Sequence, residues 1–261
     1  MVVCKGDNAT IKLDKGTVIS KINWAFDGLT TSGNSRTFEN VTEEKTFNIK
    51  VYNSDGCEMD TFVTINVNDK PVISFTGDNK SCSGDEFSLD VTATNCTFEW
   101  SSQNSTTWQV NNDKSHLTDI LDAGNNDSKL IRYEVTATNT TTSCYSKGSF
   151  DVTVHKKPTV KIADHAKNVC EGNSVSLTSK DAFASYSWVA ANNREFVLGT
   201  TRSMDFTPTE EETRYILTAT DDHNCKGADS TDIYLIHKPS FTFNYTPVCQ
   251  GSKGTISLNN V

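Results

Sequence analysis

Apolar and polar residues alternate with a period of two along much of the chain. The clearest runs each open with an aromatic residue: Phe47-x-Ile49-x-Val51, Tyr133-x-Val135-x-Ala137 and Tyr215-x-Leu217-x-Ala219. A period of two places alternate side chains on one face, so each run predicts a half-buried strand and not a helix. Clusters rich in Asn, Asp, Thr and Gly separate the runs and predict turns. The pattern therefore predicts an all-β protein made of many short strands.

The strand pattern recurs along the chain. Four segments carry a Cys-x-Gly signature: Cys4-Lys5-Gly6, Cys82-Ser83-Gly84, Cys170-Glu171-Gly172 and Cys249-Gln250-Gly251. Their spacing of about 80 residues suits small β domains, and Lys-Pro pairs mark the junctions at residues 70–71, 157–158 and 238–239. We expect repeat 1 at residues 1–69, repeat 2 at 70–156, repeat 3 at 157–237 and the start of a truncated repeat 4 at 238–261. Repeat 1 is expected to lack most of its first strand, so we expect a piece of a longer array.

Each full repeat also has a tryptophan and an aromatic residue at fixed places. Trp24, Trp100 and Trp188 fall on the predicted third strand, and the aromatic residue opens the predicted sixth. This order matches the immunoglobulin-like plan. The expected fold is a set of tandem immunoglobulin-like Greek-key β-sandwiches in an extended array. We expect Trp24, Trp100, Trp188, Tyr133 and Tyr215 in the cores, with the two tyrosines hydrogen-bonding the backbone as tyrosine corners.

Repeat 3 carries a resemblance to a known group of proteins. Its segments Val169-Cys170-Glu171-Gly172-Asn173-Ser174-Val175-Ser176-Leu177 and Tyr215-Ile216-Leu217-Thr218-Ala219-Thr220-Asp221 resemble the immunoglobulin-like or PKD-like repeats of large Bacteroidetes surface adhesins. Those adhesins include gliding-motility proteins and substrates of type IX secretion. The resemblance implies an extracellular stalk or adhesin, and it implies no catalytic residue.

Composition narrows the choice of partners and compartment. The 261 residues include 24 Lys and Arg against 33 Asp and Glu, a net charge of −9. This balance argues against nucleic acid or an anionic membrane as a partner, since both require a basic surface, and no apolar run is long enough to span a bilayer. Eight cysteines in such a chain indicate an oxidising compartment, so we expect a secreted or cell-surface protein.

The cysteines admit two pairing schemes. The simple count pairs them within repeats as Cys4–Cys57, Cys82–Cys144 and Cys170–Cys225. In an immunoglobulin-like sandwich, however, the first cysteine of a repeat lies at the bottom and the second at the top, about 23 Å apart, whereas a disulfide needs Cα atoms within about 7 Å. We therefore predict bonds across junctions, Cys82–Cys225 and Cys4 with Cys144 or Cys96, while Cys96–Cys144 is a competing local pair.

This scheme leaves Cys57, Cys170 and Cys249 unpaired by truncation.

Little else in the sequence indicates catalysis or metal binding. The five histidines are scattered and no Gly-x-Ser-x-Gly motif occurs, so we expect no enzyme, no metal and no cofactor. The acidic turns at residues 122–127 and 221–224 lack EF-hand spacing, and we interpret them as solvated turns.

Two functions remain open. The first is a non-enzymatic stalk or adhesin segment, whose repeats contact their neighbours and present a binding module. The alternative is a glycan- or protein-binding module in which the repeat 2 insertion, residues 103–128, offers Trp108 as a stacking surface. We favour the interpretation that Trp108 caps the sandwich edge together with Leu117, Ile120 and Leu121, because large aromatic residues are usually largely buried. A eukaryote-type immunoglobulin receptor ranks last, since its cysteines would lie mid-strand.

Overall fold

The computed structural model describes residues 1–13, 19–24, 30–31, 34–245 and 247–260. The described residues form strands and turns without any helix, so none of their segments is a helix able to cross a membrane. They divide into two compact units, Met1–Val154 and His155–Val261. Unit 1 holds repeats 1 and 2, and unit 2 holds repeat 3 and the residues that follow it. The finer boundaries of the four repeats stay a prediction.

The described residues of repeat 1 form two sheets. Its strands are β1 (Val2–Cys4), β2 (Asp7–Lys12), β3 (Ile19–Trp24), β4 (Thr30–Thr31), β5 (Ser35–Val41), β6 (Lys45–Asn53) and β7 (Glu58–Asn68). One sheet has the order β1-β7-β6-β3-β4, and the other pairs β2 with β5. Strand β6 shows why the alternating run predicted a strand, because Phe47, Ile49 and Val51 are buried while the polar residues between them face outward.

Repeat 2 shows the sandwich most completely. Its strands are β8 (Ser74–Gly77), β9 (Lys80–Cys82), β10 (Glu86–Thr92), β11 (Cys96–Gln103), β12 (Gln109–Val110), β13 (His116–Ile120), β14 (Ser128–Asn139) and β15 (Tyr145–His155). One sheet has the order β12-β13-β10-β8 and the other β11-β14-β15-β9. In immunoglobulin terms these are the ABED and CFG sheets, with β9 added beside the last strand. The predicted all-β fold of immunoglobulin-like sandwiches is confirmed.

Unit 2 repeats this plan once and then adds a hairpin. Its strands are β16 (Asn168–Cys170), β17 (Val175–Thr178), β18 (Ser185–Ala190), β19 (Asn193–Gly199), β20 (Ser203–Phe206), β21 (Glu212–Thr220), β22 (Lys226–Ile236), β23 (Phe241–Tyr245) and β24 (Ile256–Asn260). Repeat 3 forms the sheets β16-β22-β21-β18-β19 and β17-β20, and β23 pairs only with β24 among the described residues. The start of repeat 4 is thus an antiparallel hairpin.

The repeats have hydrophobic cores of their own, and the predicted core aromatics differ in burial. Trp188 is fully buried, and its Nε1 donates to the Thr201 carbonyl at 2.9 Å. Trp100 is only half-buried at the edge of the repeat 2 core, and its Nε1 donates to the Lys114 carbonyl at 2.7 Å. The side chain of Trp24 lies outside the described residues. Tyr133 and Tyr215 are buried in the cores of repeats 2 and 3.

Candidate functional site at the repeat junction

The first cysteine of each full repeat ends a short strand and opens a turn. Strand β1 runs parallel to β7 with Cys4 opposite Asn68, and β16 runs parallel to β22 with Cys170 opposite Ile236. The glycine two residues later has φ between +79° and +86° in all four signatures, a conformation that glycine adopts without a steric cost. This explains the Cys-x-Gly motif, because the turn holds the cysteine at the end of the sheet.

The second cysteine of each full repeat also follows a turn that recurs among the repeats. The Asn53 amide donates to the Cys57 carbonyl at 3.0 Å, and the equivalent Asn139–Cys144 and Asp221–Cys225 bonds measure 2.8 and 3.0 Å. The side chain of the turn residue accepts further backbone N–H groups in each case. Asx-type turns therefore precede all three cysteines. The turn before Cys144 is one residue longer, and the Cys144 amide donates to Thr142 Oγ1, whereas the Cys57 and Cys225 amides donate to the Asx side chain itself.

A disulfide joins these two features across the junction in unit 1. Cys4 of repeat 1 is bonded to Cys144 of repeat 2, with their Cα atoms 5.6 Å apart and a sequence separation of 140 residues. Cys144 is fully buried, and its Sγ lies 4.0 Å from the carbonyl oxygen of Asn68, which is paired with Cys4. The bond therefore connects the bottom of one sandwich to the top of the next.

This bond excludes several pairings that the sequence left open. Cys4–Cys57 and Cys82–Cys144 do not form, because Cys4 and Cys144 are bonded to each other. The competing Cys96–Cys144 bond and the Cys4–Cys96 alternative are wrong for the same reason, and Cys96 is a free thiol that donates to the Thr94 carbonyl at 3.2 Å. Cys96 is the first residue of strand β11, so its thiol belongs to the sandwich of repeat 2.

The remaining cysteines fall into two groups. Cys57, Cys170 and Cys249 are free and exposed, so the within-repeat Cys170–Cys225 bond is absent too. Cys82 and Cys225 are in the disulfide form. The predicted Cys82–Cys225 bond would connect the two units, and it stays a prediction.

Ionic contacts accompany the disulfide in unit 1. Lys70, in the Lys-Pro pair, has its Nζ 2.6 Å from Asp7 Oδ1, and Lys5 Nζ lies 3.4 Å from Asp69 Oδ1. All four side chains are more than one third exposed, so each pair contributes at most about 1 kcal/mol. The covalent bond dominates the junction, since closing a loop of this length restricts the unfolded chain by about 5 kcal/mol in the chain-entropy model.

A buried carboxylate in repeat 2 forms a second polar cluster. Asp119 on β13 is only 3% exposed. Its oxygens accept hydrogen bonds of 2.5 Å from the hydroxyls of Ser105, Thr107 and Tyr133. Three donors satisfy a charge that would otherwise be costly to bury. The cluster ties the loop after β11 to the core.

The sequence analysis missed Asp119, Ser105 and Thr107, and it misassigned the partner of Tyr133. The Tyr133 hydroxyl donates to a carboxylate and not to the backbone, so the predicted tyrosine corner is wrong in repeat 2. Burial, followed by the hydrogen bond to Asp119, raises the pKa of Tyr133 far above its usual value. A signal was present, because Asp119 falls on the inward-facing register of its strand.

Trp108 directly follows Thr107 in the sequence. It is half-buried and packs with Val110 against the core of repeat 2. Because the ring is partly buried against this core, the packing favours the cap interpretation over a stacking surface for a sugar.

The acidic turns use their carboxylates internally. Asp122 accepts hydrogen bonds from the Gly124 amide at 2.8 Å and the Ser83 hydroxyl at 2.9 Å, and Asp221 accepts from the His223 and Cys225 amides at 2.9 Å. Within the described ranges, no group of three or more His, Cys, Asp or Glu side chains is placed to hold a metal ion.

The strand topology and the disulfide between successive repeats together define the class of protein. It is a protein of tandem immunoglobulin-like β-sandwich repeats. No protein-family profile and no curated protein sequence matches the chain. Among solved structures, it is similar to three N-terminal domains of the Highly Immunogenic Outer Capsid protein of bacteriophage RB49, at 12% identity and a TM-score of 0.39, over 89% of this chain and 94% of that one.

Two further structural similarities are weaker in coverage. Fibronectin(III)-like modules of Clostridium thermocellum CbhA match at 14% identity and a TM-score of 0.36, over 64% of this chain and 95% of that one. Murine CEACAM1b matches at 13% identity and a TM-score of 0.27, over 59% of this chain and 95% of that one. Similarities at this level carry no inference about function.

Proposed function

We propose that this chain is a non-enzymatic extracellular spacer, a stalk or adhesin segment whose junctions are locked by disulfides. The observation that carries the proposal is the Cys4–Cys144 bond, which joins two successive sandwiches. A bond inside a sandwich stabilises one domain, whereas a bond between sandwiches restricts bending of the array. Such a restriction is useful where repeats must hold a binding module away from a surface.

The same geometry supports a second locked junction. Cys225 Sγ lies 3.9 Å from the His155 carbonyl oxygen, as Cys144 Sγ lies 4.0 Å from that of Asn68. Asn68 and His155 each lie two residues before the lysine of a Lys-Pro pair. We therefore propose that Cys82 and Cys225 form the equivalent bond in this chain.

The proposal also includes the cellular location of the protein and the group of proteins to which it belongs. Disulfides persist in oxidising environments, which supports a secreted or cell-surface location. The repeat signature supports a place among the surface adhesins of Bacteroidetes, with neighbouring repeats as the partners of each domain.

A distance measurement across the unit 1 junction tests the spacer role. A dye pair on unnatural amino acids at the exposed positions Glu39 and Glu99 would report the repeat 1 to repeat 2 distance by single-molecule fluorescence transfer. We expect one narrow distribution in the parent chain and a broad one in Cys4→Ser. Cys96→Ser is the matched control and should leave the distribution narrow. An equally narrow distribution in Cys4→Ser would remove the support for a locked stalk.

A glycan array of the full chain separates the spacer from the binding alternative. The spacer account expects no signal that depends on Trp108, since that ring packs on the core. Binding that Trp108→Ala abolishes, in a variant that keeps its thermal unfolding midpoint, would instead support recognition by repeat 2.

A further inference from the structure

The outward face of the larger sheet of repeat 1 carries an exposed aromatic ring. Phe62 on β7 is 72% exposed, and it is paired with Asn48 on β6. The outward side chains of these strands alternate with the inward ones and form the cross-strand pairs Thr46 with Thr64, Asn48 with Phe62, Lys50 with Asp60, and Tyr52 with Glu58. Along β7, the ring of Phe62 is therefore an apolar centre between polar side chains.

The other two full repeats lack this ring. Phe62, Ser149 and Ser230 each lie five residues after the second cysteine of their repeat. Both serines are exposed. A serine keeps an outward strand position polar, so the sandwich forms without an aromatic residue there. The phenylalanine is a feature of repeat 1, and the fold itself does not require it.

A shallow hollow, here called the repeat 1 hollow, surrounds the ring. Its volume is about 450 Å³, and it is lined by Asn48, Ile49, Lys50, Asp60, Thr61 and Phe62. Sites for small ligands have volumes of about 300–1,000 Å³. Lys50 Nζ lies 3.0 Å from Glu58 Oε1 and 3.5 Å from Asp60 Oδ1, which holds charged hydrogen-bonding groups beside the ring. The hollow thus combines one apolar surface with a polar rim.

A neighbouring repeat leaves this face of a sandwich open. Repeat 2 has a corresponding hollow, whose lining includes Glu134 and Ser149. Ser149 is exposed although repeat 1 is bonded to Cys144 at the top of the same sandwich. The first strand of a sandwich does not cover the hollow either, because β8 pairs with β10 in the opposite sheet. The exposure of Phe62 therefore follows from its place on the outward sheet face.

The charges around the ring balance one another. Lys21 on β3 and Lys50 on β6 share the outward face with Glu58 and Asp60 on β7. Two charges of each sign in adjacent strands leave little net field to select an ionic ligand. The electrostatics of the face therefore favour a neutral ligand.

The apolar area is too small for a protein partner. A phenylalanine side chain buries about 150–250 Å², whereas each side of a specific protein–protein interface buries about 800 Å². A sugar ring suits the hollow better, because its C–H face is apolar and stacks on an aromatic ring. Its hydroxyl groups lie around the edge of that face, where they can donate and accept hydrogen bonds.

We propose that the repeat 1 hollow binds a neutral saccharide, with one sugar ring stacked on Phe62 and its hydroxyls hydrogen-bonded to Asn48, Lys50 and Asp60. The Asn48 amide donates and accepts, the Lys50 ammonium donates and the Asp60 carboxylate accepts. These groups match hydroxyls, which act both as donors and as acceptors. The site lies on one sandwich, so the proposal goes beyond the disulfide-locked spacer and does not depend on it.

A saccharide array probed with the full chain tests the role of the ring. The array carries oligomers of glucose, galactose, mannose and N-acetylglucosamine, with uronic acid oligomers and neutral peptides on separate spots. We expect retention on at least one neutral saccharide, and a signal about tenfold weaker or less in Phe62→Ser, because the stacking contact is lost. Phe196→Ser is the matched control, since Phe196 on β19 of repeat 3 is 62% exposed, and it should keep the parent signal.

Several outcomes of this experiment would overturn the proposal. One is the absence of retention on every neutral saccharide, and another is equal retention of Phe62→Ser and the parent chain. Binding that depends on Phe62 but is confined to the uronic acids or the peptides would assign the hollow to a different ligand. Both phenylalanines are exposed, so both variants should keep the parent's thermal unfolding midpoint, and a lost signal then reports the contact itself.

A second pair of variants tests the polar rim. Asn48→Ala should weaken binding of the best-retained oligosaccharide by about threefold to tenfold in a calorimetric titration, because sugar hydroxyls lose the amide. Glu134→Ala is the matched control, since Glu134 follows Tyr133 in repeat 2 as Asn48 follows Phe47 in repeat 1, and it should leave the affinity unchanged. Equal affinities of the two variants would contradict the hydrogen bonds assigned to Asn48.

Discussion

Repeats 2 and 3 fill one equivalent core position with opposite chemistry. Asp119 of repeat 2 faces Phe87, and Phe206 of repeat 3 faces Val175. Phe87 and Val175 each lie five residues after the first cysteine of their repeat. Phe206 packs its ring 4.3 Å from that of Tyr215, whereas Asp119 accepts a hydrogen bond from Tyr133. Repeat 1 resembles repeat 3, since Phe38 stacks on Phe47 with centroids 4.3 Å apart.

The difference shows how an insertion is accommodated in a common fold. An apolar ring needs only volume, so repeats 1 and 3 fill the position without help from other segments. A buried carboxylate must be satisfied by donors, and two of the three donors to Asp119 come from the loop that repeat 2 adds. The ordering of that loop is therefore coupled to the buried carboxylate in the core. The apolar pair Phe206 and Val175 of repeat 3 provides no such coupling to a loop.

The largest expected effect contrasts the two tryptophans. Trp188→Ala should lower the free energy of unfolding of repeat 3 by about 3–5 kcal/mol, because the ring is fully buried and a cavity is left behind. Trp100→Ala should cost less in repeat 2, since Trp100 is half-buried. Hydrogen exchange read by mass spectrometry resolves the repeats separately. An equal loss in both repeats, or spread of either loss over the whole chain, would contradict separate cores of unequal depth.

The next effect separates the polar core from the apolar one. Asp119→Ala should destabilise repeat 2 by about 2–3 kcal/mol, because the buried Tyr133 hydroxyl loses a charged acceptor. Backbone amides of residues 104–110 should lose exchange protection at the same time. Phe206→Ala is the matched change in repeat 3 and should destabilise that repeat without a comparable local loss. If the amides of residues 104–110 keep their protection in Asp119→Ala, the coupling is absent.

A smaller effect isolates one hydrogen bond. Tyr133→Phe removes a donor to the Asp119 carboxylate and should cost about 1–2 kcal/mol. Tyr215→Phe should cost less, about 1 kcal/mol or below, because the hydroxyl of Tyr215 is hydrogen-bonded to the neutral Thr213 side chain and not to a carboxylate. Denaturant unfolding of the two variants measures the contrast, and a larger loss for Tyr215→Phe would reverse it.

The pH dependence gives the smallest and most local contrast. Because the pKa of Tyr133 is raised in the folded state, the unfolded chain loses this proton first, near pH 10. The contribution to stability is therefore complete below about pH 10 and is lost as the pH rises further. We expect Tyr133→Phe to flatten the decline in stability of repeat 2 as the pH rises above about 10. An unchanged slope would show that Tyr133 does not titrate as its burial requires.

Much of the fold could be predicted because its determinants are local and repeated. The period-two runs predicted β6, β14 and β21, and the Cys-x-Gly motif marked a turn that needs a positive φ. The predicted distance between the two cysteines of one sandwich argued against within-repeat bonds, and none of these forms in unit 1.

The polar cluster could not be predicted in the same way. Its four members lie on three separate segments, and no spacing rule connects Ser105 or Thr107 to Asp119. Only the alignment of Asp119 with Phe38 and Phe206 carried a hint, since a charge at an apolar core position requires donors from somewhere. The partial exposure of Trp100 could not be predicted from the sequence either, because it depends on where the insertion folds over the sheet.

The central claim is that disulfides join successive repeats. Non-reduced peptide mapping of the full chain, with free thiols blocked before digestion, tests it most directly. The account predicts a Cys4–Cys144 linked peptide and a Cys82–Cys225 linked peptide, with Cys57, Cys96, Cys170 and Cys249 carrying the blocking group. Linked peptides that pair Cys4 with Cys57, Cys82 with Cys144 or Cys170 with Cys225 would contradict it.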